Sequence, residues 1–548
     1  MQLKVLYLFL FISIIILPFS RCGQAKDNTT QISDDSLKIW VQNDWNSTIP
    51  GSFSSQTYSA FDSLEISRFL ISYPEFKSYE QDIRVFYRHR NFAFAWFDKE
   101  GLIEHAGNLA DRIMNLKNEG LDKELPYYRS LDSLMYSGLQ GQYSGPLKIK
   151  LELMLTAGYF AFADIVWQGM DASVSKATNW YLPRKKVSYE QYLDSILLGK
   201  PGEIISEKAP VYRQYNLLRE YLIKYRKLQE QGRWIKIKSG SRSYKPGDSS
   251  LVIKEVSQRL FDLGDYQGDT WRGTYDEELQ EAVKKFQSRH GLKDDGILRK
   301  DVFDELNVPY ESRLKQLMVN MERSRWLPVT LSKDYLVVNI PEFKLHVYNS
   351  DSLLWSCNVV VGKAMHKTVV FSGDLKYVVF SPYWNVPPSI VRNEILPGIR
   401  KNAGYLSRHD MEVYGYRDGL PEIRQRPGPG NSLGLVKFLF PNSYNIYLHD
   451  TPVKSLFDES SRAFSHGCIR ISEPFKMAEF LLRDDPSWDS ERIRNAMNAG
   501  YERFVKLKST VPVFIVYFTA FVDAEGGINF RKDIYERDDR LADMLLER

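Results

Sequence analysis

The 548-residue sequence predicts a multidomain α+β protein, on three observations. The chain is too long for one ordinary hydrophobic core, so two to four domains are expected. Up to about residue 330, apolar residues recur at three- and four-residue spacing, as amphipathic helices require. From Tyr335 onward the pattern alternates and is broken by turn residues, as half-buried strands require. The expected architecture is a helical scaffold, a three-helix module and a mainly β domain with a long inserted loop. Apolar content of 43% with 14% aromatic fits folded protein throughout. The net charge of +4 is spread along the chain and gives no case for a nucleic-acid partner, which usually meets a concentrated basic face.

Residues 1–22 read as an export signal. Lys4 precedes the apolar run Val5 to Phe19, fifteen residues long, which is short for a membrane span and typical of a signal segment. A short uncleaved anchor is the alternative. Cys22 loosely suggests a lipoprotein attachment site, with Arg21 where a small residue is normal. The expected location is the periplasm, with a membrane anchor through the signal segment or a lipidated Cys22 left open.

Residues 36–237 are the expected scaffold, with helical stripes over Ala106 to Leu116 and Leu151 to Val166. His89 and His105 there read as surface or capping residues. Lys238 to Ser250 is a linker by composition. The module spans 245–308. Leu251, Val252, Val256, Leu260 and Leu263 stripe its first helix, which Gly264 ends. Thr274 and Glu277 read as a capping box for the second, striped by Leu279, Val283 and Phe286. His290-Gly291-Leu292 closes it, Asp295-Gly296 turns, and a third helix holds Val302 and Leu306. A connecting helix is expected over 309–332, a β domain over 333–520 with an insertion at about 395–440, and a C-terminal extension over 521–548. Strands are read at Tyr335 to Ile340, Lys344 to Tyr348, Trp355 to Val361, Lys376 to Phe380, Tyr444 to Leu448 and Val511 to Thr519. Insertions of that length in compact domains are often lids or binding loops.

The densest chemistry lies in Ser465-His466-Gly467-Cys468-Ile469-Arg470, with His449 upstream. A thiol becomes a strong nucleophile as thiolate, so an imidazole that takes its proton turns it into a catalyst. Glycine before the cysteine permits a tight turn that aims N–H groups at a developing oxyanion. A buried structural cysteine beside a core histidine is the bland alternative. Of the three cysteines, Cys22, Cys357 and Cys468, Cys357 sits in a strand-like apolar run and reads as packed and unreactive. Zinc is a competing chemistry, since His449, His466 and Cys468 are permitted ligands. The His-Gly-Cys spacing is awkward for a tetrahedral site, so neither a metal nor another cofactor is expected.

This motif resembles the signature of the L,D-transpeptidases, and the fifteen residues between His449 and Ser465 fit its spacing. The resemblance implies Cys468 as nucleophile, His449 as proton acceptor and donor, and the Asp450 backbone carbonyl as the group orienting that imidazole. It implies oxyanion donors at the Gly467 and Cys468 N–H groups. Two roles stay open for His466: shaping the cysteine loop, or acting as base itself. Arg470 could fork onto a substrate carboxylate or serve a structural ion pair. Ser465 and the stretch Tyr383-Trp384-Asn385 are substrate-binding candidates. Tyr383 to Pro388 and Arg426 to Asn431 resemble YcbB-type members, in which the insertion caps the substrate. The Leu263-Gly264-Asp265-Tyr266, Ala282 to Gln287 and His290-Gly291-Leu292 stretches resemble a peptidoglycan-binding module, although a helical spacer without wall affinity fits too. The implied partners are peptidoglycan stem peptides as donor and acceptor, with carbapenem-type β-lactams as inhibitors. An L,D-carboxypeptidase or cysteine hydrolase using the same residues, and a non-catalytic wall-binding scaffold, are the other functions open.

Overall fold

The computed structural model describes residues 60–546, apart from 99–100, 140–144, 198–208, 233, 241, 330–332 and 351. The expected signal segment, Cys22 and the start of the expected scaffold lie outside the described residues. The chain is multidomain α+β: helices dominate the N-terminal region and strands the C-terminal one. No helix among the described residues is long and apolar enough to cross a membrane.

The scaffold centres on helix Gly145–Phe162, whose residues from Leu151 to Phe162 are all buried. It is apolar all round rather than striped, as a helix enclosed by neighbours must be. Glu152, inside it, is tolerated because the Tyr87 hydroxyl (2.7 Å) and the Ala95 (2.6 Å) and Trp96 (3.1 Å) N–H groups bond its carboxylate. Helices Glu80–His89, Glu104–Met114 and Gln214–Glu230 add apolar faces to the same core. His105 is buried, not on the surface, and His89 faces Glu190 at 2.6 Å.

The module has its three helices at Leu251–Leu263, Glu277–Arg289 and Lys300–Leu306 around Val256, Leu260, Val283 and Phe286. The second helix is capped by Asp276, whose side chain accepts from Leu279 N–H, and not by Thr274. An ordinary N-cap position one step from the helix outcompetes the more distant threonine. The compositional linker is also packed: Tyr244 is buried and exchanges both backbone hydrogen bonds with Leu298 (3.0 and 2.9 Å). Glycine and serine around it therefore mark turns, not freedom.

Fifteen strands lie among the described residues, numbered in chain order. They are β1 Trp180–Tyr181, β2 Asp334–Asn339, β3 Lys344–Asn349, β4 Ser352–Gly362, β5 Val370–Phe380, β6 Trp384–Asn385, β7 Met411–Arg417 and β8 Leu420–Gln425. The rest are β9 Val436–Leu439, β10 Leu448–His449, β11 Ala463–Ser465, β12 Ile469–Ile471, β13 Arg503–Val516, β14 Ala520–Val522 and β15 Ile528–Phe530. The main sheet runs β1-β5-β13-β2-β3-β4-β12-β10-β9, and β9 also pairs with β5, so it closes on itself. Closure leaves few free edges for foreign strands. The scaffold lends β1 to the sheet, an exchange that a two-residue strand cannot announce in sequence. Strand β10 is far shorter than the expected Tyr444 to Leu448, because Asn445 turns the chain at positive φ. The insertion also begins and ends earlier than expected. β6, β8 and β7 form a separate sheet with its own small core of Val386, Ile390, Val391, Ile395 and Ile423, whereas β9 belongs to the main sheet.

The segment expected as a C-terminal extension is structural. Hairpin β14–β15 joins the scaffold core, and the Tyr535 hydroxyl donates to the Gly362 carbonyl at the end of β4. Helix Tyr310–Trp326 ties the regions together through a buried ion pair. Glu322 accepts from Arg325 (2.7 Å), Trp326 Nε1 (2.8 Å) and Met170 N–H (2.6 Å), while Arg325 donates to the Val166 and Glu119 carbonyls, both at 2.6 Å. Removing one partner strands the other charge, a loss of about 3–5 kcal/mol. Arg325→Met should therefore lower stability by that order in a denaturant titration, and adding Glu322→Gln should recover a large part.

Candidate active site

The site is built by a register. β10 and β12 run parallel, with Leu448 opposite Ile469 and His449 opposite Arg470, and antiparallel β9 sets Lys437 opposite His449. Alternation then sends Leu448, Ile469 and Phe438 into the core. It sends His449, Arg470 and Lys437 to the other face, where all three line one cavity of about 800 Å³. The Ile469 N–H donates to the Tyr447 carbonyl at 3.1 Å, which sets Cys468 beside Tyr447 and one diagonal step from His449.

The loop before β12 is held from within and below. Ser465 Oγ donates to the Cys468 carbonyl (2.6 Å) and accepts from Gly467 N–H (3.1 Å). Buried Thr368 donates to the Gly467 carbonyl (2.9 Å), and the Tyr535 hydroxyl donates to Gly362 O (2.5 Å) beside it. Gly467 has φ +116, which a side chain would strain. Ser465 braces the loop from a buried position and also lines the cavity. One sequence expectation changes here. The Gly467 N–H is occupied by Ser465, so it is not a free oxyanion donor in this conformation; the Cys468 N–H carries no internal hydrogen bond among the described residues.

His449 Nδ1 donates to the Asp450 carbonyl at 2.5 Å. The Asp450 carboxylate accepts from Leu435 N–H (2.8 Å) and Thr451 N–H (2.7 Å), so the carbonyl is itself fixed. Burial, then the neighbouring Arg470 and Lys437 cations, pull the His449 pKa down to about 3. The Cys468 thiol donates to the Asn445 carbonyl at 3.6 Å. Burial pushes its pKa up, against the opposing pull of the Tyr447 hydrogen bonds and of Arg470. The resting pair is therefore neutral thiol and neutral imidazole, and the sulfur bonds to the Asn445 carbonyl rather than to His449 or His466. Cys357 is buried, and its thiol is pushed up to about 11.

Arg470 is half-buried and forms no ion pair among the described residues, and its buried Nε has no partner. An unpaired guanidinium facing a cavity is a carboxylate receptor in waiting. Tyr383, Trp384 and Asn385 line the same cavity from the insertion, as does His466, whose Nε2 is 3.0 Å from Glu394 Oε1. The Arg426 to Asn431 turn does not line it. Asn431 is buried and donates to the Pro382 carbonyl (3.0 Å) and Arg426 carbonyl (2.8 Å), so the turn anchors the insertion. Among the described residues no three His, Cys, Asp or Glu side chains cluster as a metal site. Sequence reading missed Tyr447, Asn445, Lys437 and Glu394. Tyr447 alone left a trace, two residues before His449 in the sequence.

Three sequence families match this chain. Residues 333–494 match the family described as "L,D-transpeptidase catalytic domain". The chain carries an L,D-transpeptidase catalytic domain. Residues 81–222 match a "Scaffold domain" and 250–306 a "Putative peptidoglycan binding domain". A Haemophilus influenzae protein named "Putative L,D-transpeptidase" is 31% identical over 247 residues, 42% of this chain and 49% of that protein. The match thus spans about half of that relative's length. Solved L,D-transpeptidases from Xylanimonas cellulosilytica (16% identity, 51% of this chain, all of that one, TM-score 0.17) and Stackebrandtia nassauensis (15%, 50% and 94%, TM-score 0.21) also align.

Two outcomes test the electrostatics of this domain. Alkylation of Cys468 by iodoacetamide, followed on its own peptide by mass spectrometry, should be slow at neutral pH and still rising above pH 9. Arg470→Leu should slow it further, because the guanidinium favours thiolate. Unfolded, an imidazole takes a proton below about 6.5; folded, His449 resists until about 3. Its depressed value therefore penalises the fold as pH falls through that window and not above it. His449→Gln should flatten the fall in unfolding midpoint between pH 6.5 and 3.

Proposed function

We propose that this chain is an exported peptidoglycan L,D-transpeptidase with Cys468 as nucleophile and His449 as its base. The observation that carries the reading is the placement of thiol, neutral imidazole and unpaired guanidinium on one face of one cavity, inside a domain of that family. Neutral His449 is able to accept a proton, and its Nδ1 tie to the Asp450 carbonyl orients the ring. A χ1 rotation turns the sulfur from the Asn445 carbonyl toward the ring; catalytic hydrogen bonds often tighten only with substrate bound.

The donor is a stem tetrapeptide whose third residue is a diamino acid. The sulfur attacks the carbonyl of that residue's L-centre, forming a C–S bond as the thiol proton passes to His449. The tetrahedral oxyanion is met by the Cys468 N–H, a contribution of about 3 kcal/mol. Collapse breaks the C–N bond, His449 returns the proton to the departing D-alanine amine, and a thioester remains. Arg470 holds a stem carboxylate during these steps. The side-chain amine of a second stem then takes the acyl group, giving a three-to-three cross-link. The module at 250–306 brings the domain to the wall.

Incubation with a carbapenem should add one drug mass to the parent and none to Cys468→Ala. Purified tetrapeptide muropeptides should yield dimers with release of D-alanine. An unlabelled parent that makes no dimer would leave a non-catalytic scaffold. Tripeptide without dimer would mean that water is the acceptor.

A further inference from the structure

We propose that His466, oriented by Glu394, is the base that deprotonates the acceptor amine, while His449 serves the acylation half-reaction. The inference rests on the transpeptidase reading and divides its two half-reactions between two imidazoles. A stem amine arrives as an ammonium ion, and His449 cannot receive it. That ring is 4% exposed, fixed on the Asp450 carbonyl and flanked in register by Lys437 and Arg470, which repel a cation.

His466 has the opposite surroundings. It is two residues from Cys468, its side chain is 39% exposed, and it lines the same cavity. Its Nε2 meets the Glu394 carboxylate at 3.0 Å, and the His366 ring lies 5.1 Å away. With Nε2–H donated to Glu394, Nδ1 keeps an open lone pair; no hydrogen bond occupies it among the described residues. Glu394 is delivered by a π-helical turn, Val391–Ile395, in which Leu396 N–H reaches back five residues to Val391 O. Such turns are rare and recur at functional sites. The turn belongs to the insertion, so the dyad is assembled across the cleft from two separately packed pieces. Glu394 is a positioning residue, and its negative charge also draws the ammonium inward.

One ammonium proton passes to His466 Nδ1 and then to solvent. The freed amine attacks the thioester carbonyl, the C–N bond forms and the C–S bond breaks. The second nitrogen proton ends on the Cys468 sulfur, and the thiol is regenerated.

The test separates the half-reactions. A disaccharide-tetrapeptide donor with its side-chain amine acetylated forms the acyl-enzyme, and intact mass follows its decay in water and with added acceptor muropeptide. Glu394→Gln should slow decay by acceptor at least about tenfold relative to decay in water, and His466→Asn about 100-fold, the lower range for general bases. Glu394→Asp should recover most of the rate. Equal slowing of both decays, or a loss confined to acylation, would overturn the proposal. A parent that forms no acyl-enzyme would overturn the transpeptidase reading itself, and this inference with it.

Discussion

Everything at the site descends from one backbone pairing, the parallel contact of β10 with β12 that sets His449 beside Arg470. A slip of one residue would turn every side chain of a strand to its other face. It would send the imidazole and guanidinium inward and Leu448 and Ile469 out. Leu448, Ile469 and Phe438 are wholly buried, and their burial is what makes such a slip costly. The same register explains the charges. His449 stands between two cations because its neighbours on both sides happen to be Lys437 and Arg470, and burial does the rest.

The loop that carries Cys468 is braced rather than free. Ser465, Thr368 and the distant Tyr535 share hydrogen bonds around Gly467 and Gly362. Tyr535 comes from beyond the last long strand, so a segment after β13 supports the turn that holds Cys468. Likewise the scaffold is not an appendage. Its β1 extends the main sheet, and Glu322 with Arg325 couples helix Tyr310–Trp326 to the backbone at Glu119, Val166 and Met170. Removal of either region would expose buried polar groups along with apolar surface.

The insertion is built differently. It has its own small core and its own three-stranded sheet, and its turn at Arg426 to Asn431 is fastened at the base by Asn431. Across the cleft, its one ion pair with the Cys468 loop among the described residues is Glu394 with His466, both partly exposed. A contact of that sort is weak in water. The insertion is therefore held over the cavity mainly by its own core and by the anchoring at Asn431.

Sequence alone determined the α+β class, the module and most strand positions, and it singled out Cys468, His449 and Arg470, which the fold brings to one cavity. These are local signals: periodicity, turn residues and a spaced motif. It placed the insertion too late, because β9 and β6 are short and their membership depends on partners elsewhere in the chain. It took Thr274 for a cap where Asp276 serves, and read the packed stretch around Tyr244 as a linker. Gly467 was expected as an oxyanion donor, but its N–H is satisfied by Ser465 Oγ, a pairing that no local pattern announces. The tertiary structure decided the roles of Tyr447, Lys437, Glu394 and Tyr535. Their part comes from what lies across a strand or a cleft, and no local pattern encodes a neighbour that far along the chain.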